Sequence, residues 1–507
     1  MKFLSLAFIL ICGFASAQNS PIKTFVSSQD NQHRWLSEYT DFLSIPNVLG
    51  DSINMLRNAN RISEMLSKRG IKSELLYSGK CKSAPSVFAE IKVPGATTTI
   101  AFYAHYDGQP VNPKQWAEGL EPFTPALFTD RLDKGGKKIP FPAASEKIKP
   151  DWRLYGRASS DDKAGVFAII TAYEALLETG SKPSVNIKFF FEGEEEAGSI
   201  NLGEIFKKNK EKLKADLWVI CDGPRHTSGK KQLVFGVRGD VNVDLKVYAS
   251  KRPLHSGHYG NWAPNPGFRL AQLLSSMKDA DGNVIVKGFY DDVIPFSPTE
   301  KQALAKIPEV ESLLKEDLLL AKPDGGGKSL AELLTLPTLN INGMQSGNIG
   351  SMSSNIIPTE ASAVLDLRLV LGNDVDRQVK KIIDHISNQG YTIIDHEPTD
   401  NERKKHAFLA KVVQRKGGYN AQSTSMDLPL AQKVAKAIET TINYEVVKIP
   451  SVGGSLPLFL FEQLIDGKPI TVPIANYDNN QHAENENVKL EYLWDGIETM
   501  AAIMQLK

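Results

Sequence analysis

Apolar residues fall along this chain in two different rhythms, and the change of rhythm divides it. Continuous apolar runs, the pattern of strands buried on both faces, occur at Thr98–Ala104, Asn186–Phe191 (NIKFFF) and Asp216–Cys221 (DLWVIC). Between the first two lies KAGVFAIITAYEALLETG, residues 163–180, which has helical spacing and stops at a glycine, a good C-terminal signal. Strands alternating with helices predict a mostly parallel sheet covered on both faces.

After Arg238 the rhythm changes. VNVDLKVYA and, much later, SAVLDLRLV alternate apolar with polar residues, which suits an antiparallel sheet wet on one side. VDRQVKKIIDHISNQG follows the second as an amphipathic helix. Residues 235–419 therefore read as an α+β domain inserted into an α/β domain. Helical signals resume with LPLAQKVAKAIET, so the first domain, begun over residues 18–234, is completed by residues 420–507. Asp130–Lys149 reads as a long polar loop.

The chain's 507 residues, 41% of them hydrophobic, suffice for more than one core. Lys+Arg and Asp+Glu both total 59, so no net field recruits nucleic acid or an anionic membrane. Residues 1–17 pair a lysine with an apolar stretch and an Ala-Ser-Ala end, the layout of a signal peptide cleaved after Ala17. A secreted or periplasmic protein is expected. Cys12 follows Ile11, where a lipidation signal would place a small residue, so a lipid anchor is discounted. No later stretch reaches the ~20 apolar residues of a membrane span. Of the cysteines only Cys81 and Cys221 would survive cleavage, so disulfides are not the framework of the fold, and sequence leaves open whether these two pair.

Open α/β sheets place their sites at the C-terminal ends of strands. Here the three runs end in His105-Tyr106-Asp107, in Glu194-Glu195-Glu196 and in Asp222; Asp161 and Asp162 precede the helix, and His482 lies near the end of the chain. Taken singly these are ordinary: a charge run is usually a solvated turn, and paired aspartates before a helix are usually a cap. Taken together, two histidines and several carboxylates without a cysteine suit zinc or manganese with open positions. A carboxylate bridging two ions ~3.5–4 Å apart would generate a nucleophilic hydroxide and polarise a carbonyl. A carboxylate that is not a ligand is then needed as proton acceptor.

These residues sit in words that resemble one family. HYDGQP (105–110), LYGRASSDDKAG (154–165), EGEEEAGS (192–199), ICDGP (220–224), PLHSGHYG (253–260), VGGSLP (452–457) and HAENE (482–486) run in the order found in the M20 metallopeptidases, the group of carnosine-type dipeptidases, glutamate carboxypeptidases and aminoacylases. The resemblance implies that Asp161 bridges two divalent ions, one also held by His105 and Asp222, the other by Glu196 and His482. Zinc is the expected metal, with manganese or cobalt as alternatives. It further implies that Glu195 is the general base and that Asp107 orients the imidazole of His105. Glu194 is left without a role, as a solvated or supporting residue.

By the same resemblance the inserted domain is a lid and dimerisation domain, making a homodimer the expected state. His255 would reach a neighbouring subunit's active site and stabilise the oxyanion. Asn355, Arg368 and the Gly453, Gly454 and Ser455 turn would hold the substrate, with Arg368 on its terminal carboxylate. Two positions depart from the family pattern: Ala158 stands where GRG has glycine, and Ala164 rather than glycine follows DDK. Left-handed backbone at either would suit alanine poorly.

The expectation is a di-metal exopeptidase acting on dipeptides or short peptides. A deacylase of N-acyl amino acids, with the same ions, base and carboxylate clamp, is the alternative. A non-catalytic relative would have lost a ligand or the base, and none is lost. No HExxH word occurs, and Lys322 stands where a phosphate-binding loop ending at Gly327-Lys328-Ser329 needs its first glycine.

Overall fold

The computed structural model describes residues 20–80, 83–454 and 457–506. The expected leader, Cys81 and Ser455 lie outside the described residues; Cys221 is a buried free thiol.

The three apolar runs become adjacent strands at the centre of an eight-stranded sheet. Its order is Ser73–Leu76, Ser86–Ile91, Asn186–Glu192, Thr99–His105, Leu217–Ile220, Pro469–Thr471, Gln232–Val234, Val447–Ile449. The middle strands from Asn186–Glu192 to Pro469–Thr471 run parallel, while the Ser73–Leu76 and Ser86–Ile91 edge is antiparallel. Register aligns His105 with Glu192 and Tyr103 with Ile220, so the polar residues following each strand emerge along one sheet edge.

Helices cover the sheet because their sequences are apolar on nearly every side. Lys163–Glu178 buries Val166, Phe167, Ile169, Ile170 and Leu176 and packs beside the C-terminal helix Leu490–Met504 in the main core. On the other face an aromatic cluster forms, with Phe461 centred 4.9 Å from Phe206 and 5.0 Å from Trp218.

The alternating segments form a separate five-stranded sheet, ordered Thr338–Gln345, Glu360–Leu369, Gly239–Tyr248, Leu409–Gln414, Thr392–Ile394. Burial along Gly239–Tyr248 alternates as the sequence does, and the buried side packs on Leu270, Leu273, Val379, Ile382 and Ile386 of two helices. This is the α+β domain inserted into the α/β one.

One feature corrects the sequence reading. Asp130–Lys149 is not wholly loop, because Lys138–Ile139 pairs into a four-stranded sheet with Ala126–Phe128, Arg153–Tyr155 and Asn487–Lys489. Strands of two or three residues carry no readable period. This small sheet has a large consequence: it lays the segment after His482 against the segment before Asp161.

Candidate metal centre and active site

The sheet edge gathers five of the expected residues into two donor groups. His105, Asp161 and Asp222 form one, and Asp161, Glu196 and His482 the other, each with its ligand atoms within 4.8 Å of one another. Asp161 belongs to both. Its Oδ1 lies 2.9 Å from His105 Nε2 and its Oδ2 3.1 Å from His482 Nε2, while Glu196 approaches His482 at 3.3 Å.

Several of these residues are held from behind. His105 presents Nε2 to the cluster because Nδ1 faces Asp107, 3.2 Å from its main-chain oxygen and 3.4 Å from its carboxylate. That carboxylate also accepts the N–H groups of Glu195 (3.1 Å) and Glu196 (3.0 Å), which fixes the turn carrying both. Asp162 caps the helix by accepting from Gly165 N–H at 3.1 Å and also receives the His105 N–H at 3.2 Å. Lys163 is fully buried and donates to the carbonyls of Phe42 and Ile45, anchoring the start of that helix.

Glu195 belongs to neither donor group. Its carboxylate reaches to 3.8 Å from His105 Nε2, beside the two donor groups without belonging to either. Glu194, adjacent in sequence, is not solvated. It is buried and accepts from the N–H groups of Ala84 and Asn201 and from the Asn201 side chain, so its work is to fasten this turn to the neighbouring loop. Gln109, unremarked in the HYDGQP word, donates to Glu196 at 2.7 Å.

Electrostatics test whether this set fits divalent cations. Burial, then the charge of Asp161, pushes Glu196 up to about 8 and Asp222 up to about 6. Burial, reinforced by Asp222, Glu196 and Asp107, raises Glu195 well above the carboxylate range. The hydrogen bond to Asp161 raises His482 to about 9, against the effect of burial. His105 is raised too: burial would lower it, but Asp107 and Asp161 outweigh that. Asp161 moves the other way, since the two imidazoles overcome its burial. The site thus crowds more carboxylates than its histidines can neutralise. Oxygen and imidazole donors with surplus negative charge are what zinc or manganese requires. The residues fit a pair of such ions.

The family model described as Peptidase family M20/M25/M40 matches residues 101–506. The chain belongs to that family. Among its relatives, Beta-Ala-His dipeptidase of Homo sapiens is 25% identical over 425 residues, covering 82% of this chain and 76% of the relative. Cys-Gly metallodipeptidase DUG1 of Saccharomyces cerevisiae is 23% identical over 494 residues, covering 93% and 95%. An M20 family metallo-carboxypeptidase from Sulfolobus solfataricus superimposes with a TM-score of 0.74 at 29% identity, over 93% of this chain and 98% of that one. M20 enzymes are dinuclear, and the two donor groups meeting at Asp161 correspond to that need.

The family glycine replaced by Ala158 does mark left-handed backbone, since Ala158 has φ of 61°. At the second departure the demand falls one residue later. A Cβ on Gly165 would collide with the Cys221 carbonyl oxygen and the Asp162 carboxylate, whereas Ala164 is ordinary buried helix.

The remaining expected residues lie on the inserted domain or the glycine turn. His255 and Asn355 come together, because Leu254–His255 pairs with Ile356–Ile357 and Ser256 N–H donates to the Asn355 carbonyl at 2.9 Å. His255 is exposed and lies beside His258 with the rings tilted by 40°, and it makes no ion pair or hydrogen bond to the side chains of the two donor groups among the described residues. Arg368 stands between Asp366 (3.3 Å) and Asp240 (3.5 Å). Gly454 is exposed.

Proposed function

We propose that this M20 metallopeptidase is a two-ion exopeptidase cleaving dipeptides or short peptides, with Glu195 as its general base. One observation carries the reading: two donor groups share Asp161, and a carboxylate that is in neither stands 3.8 Å from a ligand nitrogen. The named relatives act on Beta-Ala-His and on Cys-Gly, which supports small free peptides as the substrate class.

Divalent ions held by His105, Asp161, Asp222, Glu196 and His482 would supply Lewis-acid polarisation of the scissile carbonyl and acidify water at the site. They would also lower the proton affinity of Glu195, leaving it free to accept a proton. Glu195 would take that proton and return it to the departing amine. Asp107 would hold His105 in the tautomer that keeps Nε2 toward the cluster. Arg368 and Asn355, with Gly453, Gly454 and Ser455, would receive the substrate's carboxylate, and His255 would serve a second subunit's oxyanion.

A homodimer is part of this proposal. Its support is the outer strand Thr338–Gln345 of the five-stranded sheet, whose outer edge is unpaired among the described residues and leaves Ile341 45% and Met344 50% exposed. Export through the N-terminal leader is likewise proposed. No helix among the described residues is long and apolar enough to cross a membrane.

The test is hydrolysis of a matched panel of free dipeptides and N-acetyl and long-chain N-acyl amino acids, using enzyme stripped of metal and reconstituted with zinc or manganese. Metal-restored cleavage of dipeptides is expected. Preference for the acyl amino acids would overturn the substrate class, and no metal-dependent turnover on any of them would overturn the proposal.

A further inference from the structure

We propose that Glu486 and Arg157 form a buried clasp that positions Asp161 and His482 relative to one another, so that the ion site of Glu196 and His482 depends on it more strongly than the site of His105 and Asp222, with which it shares Asp161. The inference rests on the two-ion reading above. Glu486 is completely buried and its carboxylate is saturated by one loop. Oε1 accepts the Ser160 N–H, the Ser160 hydroxyl and the Asp161 N–H, each at 2.9 Å, and Oε2 accepts Arg157 Nη1 at 2.8 Å and the Ala158 N–H at 2.9 Å. The Glu486 main-chain oxygen takes the Gly156 N–H at 3.0 Å as well. Contact runs in both directions, because Arg157 Nη2 donates to the carbonyl of Ala483, the residue after His482.

The two histidine ligands differ in how they are aimed. His105 is buried, with Asp107 at its second nitrogen. The His482 side chain is 55% exposed, and among the described residues its contacts are with Asp161 and Glu196, both on the ion side. Among the described residues none hydrogen-bonds its other nitrogen to set the ring. Its direction therefore comes from its main chain, which sits at φ of 65° in a loop tied down by Arg157 at Ala483 and by Glu486. A carboxylate converging on backbone N–H groups has no neutral equivalent, because an amide presents one accepting oxygen and repels donors with its NH2. These are positioning residues: neither touches an ion's position.

The experiment titrates zinc, and separately manganese, into metal-stripped full-length wild type and Glu486→Gln, with thermal melts of the metal-free forms alongside. In the wild type two ions are expected to bind. In Glu486→Gln the ion held by Glu196 and His482 is expected to weaken ~10–100-fold, the usual cost of losing a residue that orients ligands, and the ion held by His105 and Asp222 by clearly less, since only Asp161 links it to the clasp. Wild-type affinity for both ions in the variant, or equal weakening of both, would overturn the clasp. Should Glu486→Gln fail to fold, Arg157→Lys carries the same test, since lysine keeps the charge but cannot hold Glu486 and Ala483 with one planar fork. Fewer than two ions on the wild type would instead overturn the two-ion reading itself.

Discussion

His105 and Asp107, two residues apart at the end of one strand, face each other imidazole to carboxylate at 3.4 Å, and the same carboxylate secures the turn that carries Glu195 and Glu196. One side chain thus orients a ligand of one donor group, a ligand of the other and the proposed base. Asp107→Asn would turn an accepting oxygen into a donor facing either the imidazole or a backbone N–H. Metal affinity should fall ~10–100-fold, with kcat reduced even at saturating metal. Competition against a chromophoric chelator measures the first and kinetics the second. Unchanged affinity would show that the imidazole is oriented by the Asp107 main-chain oxygen alone.

Glu195 and Glu196 are adjacent yet separable by experiment. Glu195→Gln removes a proton acceptor from a position that belongs to neither donor group, so both ions should remain while kcat falls ~10²–10⁴-fold. Glu196→Gln removes a ligand, and one ion should be lost with activity. Metal stoichiometry by atomic absorption separates the two variants. A Glu195→Gln enzyme with most of its activity would refute the assignment of the base.

Four residues of the two donor groups stood out in the sequence because His105, Glu196 and Asp222 follow buried strands and Asp161 precedes a buried helix, where a charged residue is conspicuous against its apolar neighbours; His482 lies in a loop and was marked only by its family word. What holds them did not stand out. Glu194, Glu195 and Glu196 look alike in sequence, and only the turn at Glu195–Ala197 directs Glu194 inward to Ala84 and Asn201. Glu486 stood inside a recognised word without a role, because its partners are backbone N–H groups, which no side-chain pattern announces. The small sheet that joins Asn487–Lys489 to Arg153–Tyr155 was hidden for a related reason: its strands are too short to show a period. Alternation along Gly239–Tyr248 was readable, since one buried face over ten residues leaves a plain trace.

The small sheet itself depends on charge. Arg153 forms a two-pronged pair with Asp478, Nη1 to Oδ1 at 2.9 Å and Nη2 to Oδ2 at 2.8 Å, with both side chains at most 10% exposed. Burial alone would raise the carboxyl, but the Arg153 hydrogen bonds and charge hold it below the usual carboxylate range. A group whose folded pKa is depressed contributes stability above its unfolded value, ~3.9, and loses it as pH falls through the folded one. Asp478→Asn should therefore cost about 3–5 kcal/mol at neutral pH, and the difference from wild type should shrink below about pH 4. Chemical denaturation at pH 7 and pH 3 checks both statements; a difference independent of pH would mean that shape rather than charge is lost.

Two neighbouring small residues should respond to substitution in opposite ways. Ala158 occupies left-handed backbone that costs a side-chain-bearing residue ~1–2 kcal/mol, against the ~0.5–1 kcal/mol that glycine loses in chain entropy. Ala158→Gly should thus stabilise the protein by up to about 1 kcal/mol and leave the clasp's hydrogen bonds in place, since the Ala158 N–H is retained. Gly165 has normal helical backbone, but a methyl group there meets the Cys221 carbonyl oxygen and the Asp162 carboxylate. Room can be made only by moving the strand end that carries Asp222 or the cap that receives the His105 N–H. Gly165→Ala should destabilise by about 1–3 kcal/mol and weaken metal binding at the His105–Asp222 group. Thermal melts of the metal-free forms rank the stabilities, and metal titration reports the site. If Ala158→Gly melted lower than wild type, alanine's conformational restriction of the unfolded chain would outweigh its strain in the folded loop.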